Sequence, residues 1–108
     1  MDDNLSKKIQ ELQLLEQSIQ NLLMQKQQIQ IDLAESTNAH KEVSNTSGDV
    51  YKVLGGIMLK SEKNIVLKEL DDKKRVLQLK IDALENQEDV INSKISQLRK
   101  EISSSGKQ

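Results

Sequence analysis

The strongest constraint on this chain is a repeat of apolar residues whose spacing alternates between three and four. The repeat covers a first segment, residues 3–44. It consists of two series of positions that each recur every seven residues, and the second series starts three residues after the first. Their members are Leu5, Leu12, Ile19, Lys26, Leu33 and His40, and Lys8, Leu15, Leu22, Ile29, Ser36 and Val43. This spacing is typical of the buried seam of a coiled coil. Because no Gly or Pro interrupts it, we predict one helix of roughly 60 Å.

A second segment, residues 64–102, repeats the same spacing more regularly. Its seam residues are Leu67, Leu70, Lys74, Leu77, Ile81, Leu84, Glu88, Ile91, Ile95, Leu98 and Ile102. Asn64 is a favourable residue for a helix N-cap, and a run of serines followed by Gly106 ends the pattern. We therefore predict a second helix over 64–102, followed by a flexible tail at 103–108.

The composition agrees with a chain made of long helices. It contains no Cys, Pro, Phe or Trp, and Tyr51 is its one aromatic residue. About a third of the residues are hydrophobic (35%) and nearly as many are charged (31%), a mixture typical of coiled coils and unlike that of a compact globular core. We predict a mainly α fold with a single domain over residues 1–108.

The connector between the two helices has a different pattern. A cluster of helix-breaking residues at 45–49 is followed by two short β-prone segments, Val50–Leu54 and Ile57–Lys60, around Gly55 and Gly56. Glycine supplies the positive φ angles that a tight hairpin turn requires. We predict a β-hairpin over 49–60, with an irregular loop as the alternative.

Two arms of equal length joined by a short connector predict an antiparallel two-helix coiled-coil hairpin. Folding about residue 56 brings Lys26 near Glu88 and Lys74 near His40. An opposite-charge pair of Lys26 and Glu88 within the seam would fix the register of the two helices. The alternative is that both side chains extend from a thin seam into solvent.

The predicted β-hairpin is incomplete by itself, because an isolated pair of strands is marginally stable and leaves strand edges unpaired. Apolar side chains lie on both of its faces, so a single chain has nothing to bury them against. We therefore predict that hairpins from several chains pair edge to edge. The predicted assembly residues are Val50, Tyr51, Val53, Leu54, Gly55, Gly56, Ile57, Met58 and Leu59.

With these features the chain resembles a prefoldin subunit of the β class. The resemblance covers nearly the whole chain and includes the Gln-rich stretch Leu22–Gln28, the connector Val50–Lys60 and the stretch Leu84–Glu88 of the second helix. Its most specific part is Tyr-Lys-Val-Leu-Gly at 51–55. The α class has a longer connector with two hairpins, whereas this connector has room for one, which favours the β class.

The resemblance implies a heterohexamer of two α-type and four β-type subunits, whose hairpins form a β-barrel platform. Coiled-coil arms would capture unfolded polypeptides without ATP and deliver them to a group II chaperonin. The compact length fits the archaeal form best, and the location implied is the cytoplasm. The arm ends would bind the client, which selects Leu5, Ile9, Leu12, Ile95, Leu98 and Ile102. The same residues could also be no more than the last layers of the seam.

Other functions fit the sequence less well. An enzyme needs converging polar groups, but the chain offers one histidine, His40, and we predict a structural or solvated role for it, with no catalytic residues, cofactor or metal. Near-neutral charge and the short basic run at 73–75 do not predict nucleic-acid binding, and no apolar run is long enough to span a membrane. The remaining alternative is a coiled-coil scaffold or tether for one partner, although a plain helical hairpin needs only about 2–8 linking residues.

Overall fold

The chain folds as two long helices with a β-hairpin between them. In the computed structural model, which describes residues 3–105, helix α1 spans Asp3–Asn45 and helix α2 spans Lys63–Ser105. Strands β1 (Val50–Leu54) and β2 (Ile57–Ser61) lie between them. The predicted mainly α fold, with two helices joined by one β-hairpin, is therefore confirmed.

The contacts of the chain fall into two compact units. The terminal unit combines the residues up to Gln27 with those from Asp82 onward, and the hairpin unit is Gln28–Ile81. In each unit a segment of α1 runs antiparallel to a segment of α2. Ion pairs of Lys8 with Glu101 and of Lys26 with Glu88 establish this direction in the terminal unit.

The apolar core is the seam between the two helices. Its least exposed member is Ile81, with 4% of its surface accessible, and no described side chain is fully buried. The other buried apolar residues of the two helices are Leu22, Val66, Leu77, Leu84, Ile95 and Leu98. All but Val66 belong to the predicted heptad series. Two helices thus share one thin layer of side chains.

The ends of α2 differ from the prediction. The helix begins at Lys63, and the Val66 amide donates to the carbonyl of Glu62 at 3.0 Å, which makes Glu62 the capping residue. The prediction of Asn64 as the cap was wrong. The helix also continues through Ser105, because a serine costs only a few tenths of a kcal/mol more than alanine in a helix. The predicted tail therefore began too early, and its last three residues lie outside the described part.

The connector forms the predicted hairpin, shifted by one residue. Leu54 pairs with Ile57 and Val53 with Met58 across an antiparallel ladder. Gly55 and Gly56 have φ angles of 55° and 81°, the pair of left-handed conformations that a type I′ turn requires. The alternative of an irregular loop is excluded.

Candidate functional sites

Apolar side chains of the hairpin are left uncovered by the rest of the chain. Val53 and Met58, which face each other across the ladder, are 66% and 68% exposed. Four more predicted assembly residues are also exposed, namely Tyr51, Leu54, Ile57 and Leu59. Val50 differs, because it is buried at the base of the hairpin within its own chain. The two faces of the hairpin therefore carry six large exposed apolar side chains.

The hairpin also has open edges. Within residues 3–105 the sheet contains only β1 and β2, so each strand has a second edge without a strand partner. Unpaired backbone amides and carbonyls along an edge are a template for another strand. One charged contact lies beside them, between Lys60 Nζ and Asp49 Oδ1 at 3.5 Å, and it is exposed. The hairpin can therefore accept strands from other chains at both edges.

Two lysines make polar contacts near the base of the hairpin. Lys52 Nζ in β1 lies 2.7 Å from Glu69 Oε2 in α2. Lys63 Nζ, from the first residue of α2, donates to the backbone carbonyls of Ser44 at 3.0 Å and Thr46 at 2.9 Å. The sequence pattern did not predict the role of Lys63, because its acceptors lie 19 and 17 residues earlier in the chain. No local spacing marks such a contact.

The predicted client-binding residues lie in the terminal unit as layers of the helix seam. Ile95 and Leu98 are buried, whereas the others are only half-buried, namely Leu5, Ile9, Leu12 and Ile102. The half-buried side chains of these ends have the same degree of coverage as several seam residues elsewhere, such as Ile19, Ile29 and Ile91.

Two ion pairs link the helices near the same ends. Lys8 Nζ lies 3.6 Å from Glu101 Oε2, and Arg99 Nη2 lies 3.6 Å from Glu16 Oε1. Both pairs are substantially solvated, and such pairs contribute about 0–1 kcal/mol. Local opening of these layers therefore costs little free energy.

Some apolar side chains of the terminal unit lie outside the seam and are exposed without any opening. Leu14, Met24 and Val90 have more than half of their surface accessible. The prediction of client-binding residues did not include them.

The predicted ion pair within the seam is present. Lys26 Nζ lies 2.7 Å from Glu88 Oε1, and the two side chains are 19% and 16% exposed. That carboxylate oxygen is shielded from solvent and meets no donor other than this ammonium. The hydrogen bond to Glu88 raises the pKa of Lys26 above its usual 10.5. Partial desolvation lowers this pKa, and the negative charges of Glu88, Glu85 and Asp89 raise it further.

Replacing Lys26 and Glu88 by leucine, singly and together, is expected to reveal coupling between them. Each single change leaves one charge without its partner in the seam, so both single variants should unfold at lower urea concentration than the double variant. Because the pKa of Lys26 is raised in the folded state, the stabilisation is fully present below pH 10.5 and is lost as the pH rises through that higher pKa. Additive effects in the urea midpoints would show that the two side chains do not interact.

Comparison with known proteins identifies this combination of helices and hairpin. A family model described as a prefoldin subunit matches residues 6–108. The chain belongs to the prefoldin subunit family. The predicted resemblance is confirmed over nearly the whole chain.

Several prefoldin subunits of known type are similar to this chain. The prefoldin subunit beta of Pyrococcus furiosus is 35% identical over 94 residues, which covers 85% of this chain and 80% of the relative. That of Thermococcus kodakarensis is 33% identical over 96 residues, covering 87% and 82%. The crystal structure of the prefoldin beta subunit from Thermococcus strain KS-1 matches with a TM-score of 0.94 and 28% identity, covering 99% of this chain and 96% of that one.

Membership in the prefoldin family gives the chain the role of a chaperone subunit. Prefoldin subunits of the β type assemble into prefoldin complexes, and the relatives above come from archaea, as predicted. The hairpin and the arm ends stay the two predicted sites.

The one histidine has polar neighbours on the helix surface. His40 Nε2 lies 3.1 Å from Asp71 Oδ1, and Ser44 Oγ lies 3.5 Å from His40 Nδ1. Asp71 and Ser44 are exposed, so the three groups do not converge on an enclosed site. Among residues 3–105 no group of three metal-ligating side chains is close enough to hold an ion. Neither described helix contains a stretch that is long and apolar enough to cross a membrane.

Proposed function

We propose that the chain is a β-type subunit of a prefoldin complex that captures unfolded polypeptides without ATP and delivers them to a group II chaperonin. The complex would contain two α-type and four β-type chains. The family match runs through both compact units, which supports treating residues 1–108 as one prefoldin-type domain. The cytoplasmic location stays a prediction.

The observation that carries the proposal is the exposed apolar surface of the hairpin. Complete burial of one large apolar side chain contributes about 1.5–3 kcal/mol, and six such side chains are exposed here. Their burial would contribute free energy of the same order as the estimated cost of association, about 4–15 kcal/mol. Edge-to-edge pairing into a closed β-barrel would also satisfy the open strand edges. The assembly residues predicted from the sequence are therefore proposed to form the barrel.

The proposed client site is the set of seam side chains at the arm ends, four of them half-buried and two of them, Ile95 and Leu98, buried in the closed seam. Opening these layers costs little, and it releases aliphatic side chains that can pack against apolar segments of a non-native chain. The driving force is the removal of apolar surface of both the arm end and the client from water. Nucleotide hydrolysis is therefore not required for capture. Leu5, Ile9, Leu12, Ile95, Leu98 and Ile102 are the side chains assigned to this role.

The proposal is tested by mixing the chain with an α-type prefoldin subunit. We expect an assembly whose mass equals six chains, and we expect it to suppress aggregation of a chemically denatured protein in buffer without nucleotide. A chain that stays monomeric and leaves aggregation unchanged would overturn the proposal. Binding to one folded partner with no effect on denatured proteins would favour the tether alternative.

Removing residues 1–9 and 99–108 is expected to abolish suppression of aggregation without changing the mass of the assembly. The deletion takes away the outermost residues of the two arms, whereas the hairpin that is proposed to mediate assembly lies in the other compact unit. The measurement is light scattering of the denatured protein at equal concentrations of full-length and truncated assemblies.

Leu14→Gln is the matched control for this deletion. It removes an exposed apolar side chain of the terminal unit without touching the seam, so we expect it to retain suppression. Full activity of the truncated assembly, or loss of activity in Leu14→Gln alone, would show that the arm ends are not the client site.

A further inference from the structure

The C-terminal end of α1 has an unusual set of hydrogen-bond donors. The last carbonyls of a helix have no partners within the helix, and α1 has no basic residue in its last turn. Thr46 satisfies two of them, because its hydroxyl donates to the Glu42 carbonyl at 2.7 Å and its amide to the Val43 carbonyl at 3.2 Å. The carbonyls of Ser44 and Thr46 accept hydrogen bonds from a side chain of α2.

The donor is the side-chain ammonium of Lys63. Its ammonium binds the Ser44 carbonyl at the end of α1 and the Thr46 carbonyl in the segment that leads into β1. Lys63 is itself the first residue of α2, two positions after β2 ends. One side chain therefore joins the segment that enters the hairpin to the helix that leaves it. The positive charge of Lys63 also interacts favourably with the negative, C-terminal end of the α1 dipole.

The hairpin has few other directional links to the helices. The ion pair of Lys52 with Glu69 is one, and both of its side chains are partly solvated. Val50 is buried at the base of the hairpin, but apolar burial is non-directional and does not define an angle. The double contact of Lys63 joins the two segments that flank the hairpin, because it connects the start of α2 with the end of α1 and with Thr46.

We propose that Lys63 is a positioning residue for assembly, which sets the angle at which the β-hairpin leaves the helices. This inference rests on the proposed function, in which hairpins of different chains pair edge to edge. Hydrogen bonds between strands need donor and acceptor within about 2.7–3.2 Å, so a tilted hairpin loses several of them together. A fixed departure angle removes the need to order the hairpin during assembly.

The test compares Lys63→Met, Lys63→Arg and Lys68→Met in assembly with an α-type prefoldin subunit. Methionine keeps an unbranched apolar stem and removes the donor, whereas arginine keeps donors and charge. Lys68, which is exposed on the same helix, is the matched control for loss of one positive charge. The apparent dissociation constant of the assembly is measured by analytical ultracentrifugation, and helix content by circular dichroism at 222 nm.

We expect Lys63→Met to raise the apparent dissociation constant by about tenfold or more, since a hydrogen bond from a charged donor is lost. Helix content at 25 °C should stay unchanged, Lys63→Arg should recover most of the affinity, and Lys68→Met should match the unsubstituted chain. Leu77→Ala separates positioning from stability, because it weakens the core of the same unit and should assemble normally at temperatures where it is folded.

Three results would overturn the inference. They are an unchanged dissociation constant in Lys63→Met, an equal weakening in Lys68→Met, and an equal weakening in Leu77→Ala at matched helix content. Failure of the unsubstituted chain to assemble would instead overturn the proposed function, and the inference with it.

Discussion

A chain carrying both Val53→Glu and Met58→Glu is expected to keep its helices and to lose assembly with an α-type prefoldin subunit. The two side chains face each other on one side of the hairpin and are both largely exposed, so the unassembled chain tolerates polar replacements there. In a closed β-barrel the same positions are covered, and two carboxylates would have to be desolvated next to each other. We expect the apparent dissociation constant to rise by on the order of a hundredfold or more.

The measurement is the mass of the mixture over a concentration series, with helix content followed by circular dichroism. Val76→Glu combined with Leu79→Glu is the matched control, because it also introduces two glutamates at exposed apolar residues, here on α2 in the same compact unit. Normal assembly of the hairpin variant would show that these side chains stay exposed in the complex. Loss of assembly in the control variant would show that added charge alone is responsible.

Ile81→Ala is expected to lower the free energy of unfolding by about 2–5 kcal/mol. Ile81 is the least exposed apolar residue of the chain's described part, and its side chain fills one layer of a seam that only two helices share. The loss is a large fraction of the about 5–15 kcal/mol by which a typical domain is stable. Urea denaturation followed at 222 nm measures the change.

Leu79→Ala provides the comparison two residues away on the same helix. Leu79 is 61% exposed, and substitutions at such surface positions usually change stability by no more than about 0.5 kcal/mol. If Ile81→Ala and Leu79→Ala have equal unfolding midpoints, the seam does not supply the stability of the hairpin unit.

Periodicity predicted the helix seam and its register because helices impose fixed geometry on distant residues. Once two arms of equal length fold back about residue 56, each position in one arm has a defined partner in the other. Lys26 and Glu88 could therefore be paired from the sequence, and the structure places them 2.7 Å apart. The glycine pair and its β-prone neighbours were equally informative, since few residues adopt two successive positive φ angles.

Two kinds of feature were harder to predict. One is which of several adjacent apolar residues faces the seam, and the other is which side chains contact backbone atoms far away in the sequence. Ile65, Val66 and Leu67 are consecutive apolar residues, so spacing alone did not show that Val66 is the one that becomes buried. The contacts of Lys63 with carbonyls of the preceding helix have no signature in residue type. The difference in burial between Leu5, which is half-buried, and Leu98, which is buried, is also absent from the heptad pattern, because the pattern places both in the seam.

The thin seam also has a thermal consequence. Unfolding a globular domain raises the heat capacity by about 12–15 cal/mol/K per residue, mainly through the apolar surface that becomes hydrated. In the described part of this chain no side chain is fully buried, so each residue has less apolar surface left to hydrate. A smaller heat-capacity change flattens the curve of stability against temperature. The two helices should therefore weaken gradually at both low and high temperature.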